Sequence, residues 1–285
     1  MTGRLAIALL LVCLVWVPVW TLTPAVPVRA QSDAPPEGLD AQVLLDRAFR
    51  NLYAEDYVQV VRIATRSRGA SPLERRLQIT RLQSERPGKA MVRFLEPQEI
   101  RRTSVLILER ETESDDLYVY LPALRRTRHL SSSQRADSFF GTDLSYEDVE
   151  PKHASDYVAR LEGWSDESNG TRCAVIDIYA GPGFESTYER MRSCIEPERA
   201  VIVWTDFYRN GEAFKRLEID LDDVREIGDR HIPFAVTLRT PKRRSETRIL
   251  TDSYELSTAV PDSIFSTMNL EAGNAHHDRR RSLSD

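Results

Sequence analysis

The chain has 285 residues, 41% hydrophobic and 29% charged, and a formal net charge of −5 at pH 7. That acidic balance disfavours a nucleic-acid role. Composition shows no break after residue 38, so the length is read as one large domain.

At the N-terminus, Arg4 precedes an apolar run over 5–20, and Val28-Arg29-Ala30 before Gln31 gives a small-x-small cleavage pattern. The expectation is a secretory signal peptide at 1–30 and a periplasmic location. A retained anchor competes with this reading, but Pro18, Pro24 and Pro27 interrupt the run before a span of about 20 residues is reached. Lipidation at Cys13 also competes, yet Leu11 and Val12 precede it where a small residue is needed. Arg4 and Arg29 are the charged residues of this segment, so a processed chain would carry −7.

Residues 31–38, rich in Pro, Ala, Asp and Ser, read as a linker. Leu39, Val43, Leu44, Ala48, Phe49 and Leu52 then recur at intervals of three and four, which predicts one helix with an apolar face. Asp40 near its start suits the helix dipole.

From Tyr53 onward the pattern is strand-like, with segments at 57–66, 73–83, 89–95, 104–110, 117–121, 126–130, 157–164, 172–179, 188–195 and 200–208. Arginine is concentrated between Arg62 and Arg86. Polar strand faces account for it, and an edge that makes transient contact with phospholipid headgroups or an acidic partner is the alternative. Leu217, Ile219 and Leu221 alternate with charged residues, as do Phe234, Val236 and Leu238 with Ala235, Thr237 and Arg239, and Ile249 and Thr251 with Arg248 and Asp252. One wet and one buried face per strand predicts an antiparallel sheet, here of eleven to thirteen strands.

Three segments carry the candidate chemistry. Cys173 and Cys194 are the thiols left after signal removal, so a disulfide closing a loop of about 20 residues is expected, contributing on the order of 3 kcal/mol. The run over 117–121 is stopped by Pro122, and Phe139 and Phe140 stand beside Gly141, the one residue there that takes positive φ freely. The two rings belong either to the core or to the lining of a lipid cavity, with Gly141 as the hinge of a movable cover. Asp143, Glu147 and Asp148 have no neighbouring ligand cluster in sequence, which favours turn and cap bonding over a metal. Residues 271–285, with His276-His277, read as a frayed tail. No nucleophile elbow, phosphate loop or metal motif occurs, so neither an enzyme, a cofactor nor a metal is expected. A hidden catalytic site would be sought at His129, Ser131 to Ser133 and Asp143.

Leu117-Tyr118-Val119-Tyr120-Leu121-Pro122-Ala123-Leu124-Arg125-Arg126, the serines at 131–133, and Phe139-Phe140-Gly141-Thr142-Asp143-Leu144-Ser145-Tyr146-Glu147-Asp148 together resemble the LolA-like family of outer-membrane lipoprotein-sorting proteins. Arg209-Asn210-Gly211-Glu212, Ile232-Pro233 and Val260-Pro261-Asp262-Ser263-Ile264-Phe265 follow in the family's order. The resemblance implies a mainly β domain at 39–270: a strongly curved antiparallel sheet forming an incomplete barrel, its concave face covered by helices and loops and holding acyl chains. It further implies a lipid or lipoprotein carrier that works with an inner-membrane exporter of the resistance-nodulation-division type, or with an ABC transporter. A structural scaffold subunit of an envelope complex is the alternative. The cavity candidates are Tyr118, Tyr120, Phe139, Phe140, Trp204 and Phe207, with Tyr118 and Tyr120 on one strand face and Trp204 and Phe207 on opposite faces of theirs. The family's lid-locking arginine has no assignable position.

Overall fold

The computed structural model describes residues 38–83, 87–110, 115–167, 169–257 and 260–272. The expected signal peptide, all of the linker but Gly38, and tail positions 273–285 lie outside them. The described residues fall within one compact unit, Asp33–Asp285, and no helix among them is long and apolar enough to cross a membrane.

Helix α1 spans Ala41–Tyr53, and Asp40 caps it by accepting the N–H groups of Gln42 and Val43 at 2.8 and 3.2 Å. Its buried stripe is Ala41, Leu44, Leu45, Ala48 and Phe49. Leu44, Ala48 and Phe49 of the expected face are buried and Leu52 points into the interior, while Val43 is 56% exposed and is the one member corrected, its place taken by Ala41 and Leu45.

Two meanders follow. The first contains β1 (Tyr57–Ser67), β2 (Leu73–Leu82), β3 (Lys89–Glu96), β4 (Ser104–Leu108), β5 (Asp116–Leu121) and β6 (Arg126–His129). The second contains β7 (Tyr157–Asp166), β8 (Arg172–Ala180), β9 (Arg190–Glu196), β10 (Val201–Arg209) and β11 (Glu212–Ile219). β12 (Val224–Ile227) and β13 (Arg230–Pro233) form a separate hairpin before β14 (Ala235–Thr240) and β15 (Ser245–Leu256). The sequence pattern missed this hairpin, whose strands show no alternation of buried and exposed positions. The main sheet has 13 strands in the order β6-β5-β4-β3-β2-β1-β15-β14-β11-β10-β9-β8-β7, and its neighbours pair antiparallel. The two meanders join through β15, which pairs with β1 on one side and β14 on the other.

The sheet is curved and not closed: its edges are β6 and β7. β3 and β9 are seven strand steps apart, about 34 Å on a flat sheet at ~4.8 Å per step, yet Val92 and Met191 line one cavity. The edges are protected differently. β6 is short and carries exposed Arg126 and Arg128. Along β7, the Gln42 amide of α1 donates to the carbonyl of Tyr157 at 3.2 Å and accepts from the N–H of Ala159 at 3.0 Å, standing in for a missing strand.

The connection from β6 to β7, residues 130–156, includes the one-turn helix α2 (Tyr146–Val149) and supplies Phe139, Phe140, Leu144, Tyr146 and Val149 to the apolar cluster of the concave face. On the convex face, helix α3 (Thr267–Ala272) and the segment before it bring Phe265 and Leu270 onto Leu82, Met91, Leu106 and Tyr120.

Candidate functional site

Between the concave face and its cover lies a cavity of about 280 Å³. Alternation builds its wall: Tyr57, Gln59, Val61 and Ile63 from β1, Leu77, Ile79 and Arg81 from β2, Leu217 and Ile219 from β11. Phe49, Leu52 and Tyr53 of α1, Ile232 and Pro233 of the β12–β13 hairpin, and Phe139, Leu144 and Val149 of the cover close it. Its size falls just below the roughly 300–1,000 Å³ usual for ligand pockets, and its lining is mainly apolar.

Of the expected residues, the structure brings Phe139 and Phe207 to the cavity. Phe207 packs against Tyr188 with ring centroids 4.8 Å apart, and Phe139 stacks on Phe94 at 5.7 Å. Phe140 is half-buried in the same aromatic group, 4.7 Å from Phe94, behind the cavity wall. Tyr118 and Tyr120 are on the other side of the sheet. Leu117 and Val119 face the concave cluster, so alternation turns both tyrosines toward the convex face under α3. Trp204 is also outside the cavity: a register shift between Ile202 and Trp204 sends Ile202, Thr205 and Phe207 inward and leaves the indole beside the disulfide. There its Nε1 donates to Glu167 at 3.1 Å, and Arg216 stacks over the ring at 4.5 Å.

Cys173 and Cys194 form a disulfide between β8 and β9, Cα atoms 5.4 Å apart. Glu167 approaches both sulfurs, but the bridge leaves no thiolate for a metal.

Phe140 and Gly141 both adopt left-handed backbone, φ 48° and 83°. They turn the chain within a tight loop closed by the Phe139 N–H on the Leu144 carbonyl at 2.7 Å. The acidic residues in and after this loop bind the cover to β15, β11 and the β8–β9 connection. Asp143 accepts from Ser245 and, at 2.8 Å, from Thr247 of β15. Glu147 accepts from Ser186 Oγ at 2.5 Å and the Thr187 N–H at 2.8 Å. Asp148 caps α2 through a reciprocal box with Ser145, pairs with Lys215 of β11, and accepts from the Tyr188 hydroxyl at 2.6 Å. Burial pushes the Asp148 carboxyl up, but Lys215 outweighs it and holds the group below its ordinary range. Arg135 is buried on Glu150 with Nε–Oε1 2.8 Å.

The catalytic alternative finds no assembled triad: His129 bonds Asp116 at 3.1 Å, Asp143 is held by β15, and Ser131 to Ser133 are exposed.

A charged cluster unforeseen in sequence sits beside the cavity. Arg81, fully buried, donates through Nε to the Tyr53 carbonyl at 2.9 Å and through Nη2 to Gln83 and, at 2.7 Å, to Glu109. Glu109 also meets the Gly88 N–H at 3.1 Å and His153 Nε2 at 2.9 Å. Burial pushes Glu109 up, but the bonds from His153 and Arg81 prevail and hold it at about 2. The same bond raises His153. A Cβ at Gly88 would lie 2.6 Å from Glu109 Oε2, so any other residue there would push the carboxylate off the position that Arg81 and His153 hold.

A family model described as "Uncharacterized protein" matches residues 87–272. No curated protein matches the chain by sequence. Among solved structures, a DUF1329 family protein from Desulfovibrio piger is 20% identical with a TM-score of 0.74, covering 81% of this chain and 97% of its own. A domain described as an outer membrane lipoprotein-sorting protein, from Vibrio parahaemolyticus, is 18% identical with a TM-score of 0.73, covering 81% and 98%. A LolA superfamily protein from Nitrosomonas europaea is 19% identical with a TM-score of 0.65, covering 81% and 99%. At these identities the likeness is one of fold, and it is the fold implied by the segment from Leu117 to Asp148. The chain therefore belongs to the family described by that model and has the incomplete-barrel fold of the LolA-like proteins.

Proposed function

We propose that this chain is a periplasmic, non-enzymatic carrier that holds lipid or lipoprotein acyl chains in its concave cavity. In this reading it receives or delivers them together with an inner-membrane exporter of the resistance-nodulation-division or ABC type. The observation that carries the reading is the 280 Å³ apolar cavity between sheet and cover. A sheet that wraps and is then bridged from edge to edge has room for a chain-like apolar guest that a flat packed sheet lacks. The expected signal peptide and disulfide agree with an exported protein.

Burying each methylene contributes about 0.8 kcal/mol, so a fourteen-carbon chain represents roughly 11 kcal/mol that a soluble cavity must nearly match. An active donor or acceptor in the membrane supplies what is missing, hence the exporter. Native mass spectrometry of gently purified protein is expected to show bound acyl lipid. Ile249→Trp, placed on the cavity wall, is expected to abolish that adduct while the protein stays folded. Lipid-free protein that also fails to take up added lipid would favour the scaffold reading.

A further inference from the structure

The cavity is apolar along most of its wall, yet Arg81 is part of that wall. Its guanidinium is bonded on two sides, Nε to the Tyr53 carbonyl and Nη2 to Gln83 and Glu109. The third side, Nη1, is buried and has no acceptor in the protein. Leaving such a donor unmet is unfavourable, and more so on a charged group. Glu109 does not cancel the local charge by itself, because it is shared with His153.

A second cation lies on the same wall. Lys152 follows Pro151 in the cover, and its Nζ donates to the Glu147 carbonyl at 2.8 Å. Of the acids near this wall, Asp148 is engaged by Lys215 and Tyr188, Glu147 by Ser186 and Thr187, Glu150 by Arg135, and Glu109 by Arg81 and His153. Arg81 and Lys152 thus place two cations on the cavity wall, with His153 behind them on Glu109.

We propose that the cavity selects amphiphiles with an anionic head, the acyl chain lying along the apolar wall and a carboxylate or phosphate oxygen accepting from Arg81 Nη1, with Lys152 beside it. This rests on the acyl-binding reading above and narrows its cargo. A guanidinium fixed by two other bonds holds its remaining donor in place, so bonding it costs no further rotamer freedom, which makes the discrimination one of head and not of chain.

Affinities of the intact protein for tetradecanoate, tetradecyl phosphate and tetradecan-1-ol, measured by displacement of a fluorescent fatty acid, test it. The expected result is at least ten-fold tighter binding of one or both anionic probes than of the alcohol. Whichever anion is held tighter separates a fatty-acid source from a phospholipid-like one. Arg81→Gln is expected to erase the preference, lowering the affinity for the favoured anion about ten-fold more than the affinity for the alcohol. Equal binding of all three by the wild type, or a preference that survives Arg81→Gln, overturns the head-group assignment and leaves acyl binding standing. Binding of none overturns both. Should Arg81→Gln fail to fold, the wild-type comparison still decides, and Arg81→Lys, which keeps the charge but loses the fork, is expected to retain part of the preference.

Discussion

Glu109 is the residue on which the buried cluster depends, since two cations and a backbone N–H converge on its carboxylate. Glu109→Gln removes the charge that compensates buried Arg81 and is expected to destabilise the protein by about 3–5 kcal/mol in a denaturant titration. The pH dependence follows from the two shifts. The carboxyl lies at about 2 in the folded protein against 4.5 ordinarily, so its stabilisation is present above 4.5 and is lost as pH falls toward 2. His153 is raised above 6.5, so its stabilisation is complete below 6.5 and fades as pH rises through the folded value. The contribution of this cluster to thermal stability is therefore expected to peak between about 4.5 and 6.5, and the melting-temperature advantage of the wild type over His153→Gln should be full below 6.5 and shrink as pH rises above it. Little of this was legible in the sequence: Arg81, Glu109 and His153 are far apart along the chain, and only the curvature of the sheet and the descent of the cover bring them together. Tyr118 and Tyr120 show the converse limit. Period-two alternation assigned them to one face correctly, but nothing in the pattern says which face is concave, and α3 claimed theirs.

Among the elements, the cover is the one whose behaviour matters to a carrier. Lys215→Ala would strand Asp148 as a buried charge and is expected to loosen the cover, raising amide exchange in α2 by the equivalent of about 3–5 kcal/mol. Gly141 is exposed at φ 83°, and a Cβ there would meet Leu73 Cδ2 at 3.3 Å. We expect Gly141→Val to slow lipid exchange by more than its stability loss of about 1–2 kcal/mol explains, because a β-branched residue resists the left-handed turn that orients Phe139. Proportional loss of uptake and melting temperature would instead make the turn a static edge of the core. The disulfide is a separate element: Cys194→Ala is expected to cost about 3 kcal/mol of stability with no change in lipid affinity, since it lies across the sheet from the cavity. α1 and the longer strands were readable because amphipathic periods are long there. The β12–β13 hairpin and the register shift at Ile202/Trp204 were not, one showing no alternation and the other leaving no trace in composition.

At the scale of the molecule, the incomplete barrel was legible through the ordered segments of the LolA-like resemblance, while alternation alone left sandwich and barrel equally open. What neither conveyed is the course of the chain through the sheet. The two edge strands are successive in sequence, and the first and last strands of the sheet pair at its middle. During synthesis β1 must wait, its outer side unpaired, until β15 emerges nearly two hundred residues later. The protein is thus a nascent chain with its longest sticky border exposed through most of translation, and it joins halves like the two leaves of a book bound last along the spine. A chain stopped after residue 240 would hold every strand but the binding one. It is expected to sediment as aggregates that added β15 peptide, supplied while the fragment refolds, returns to solution.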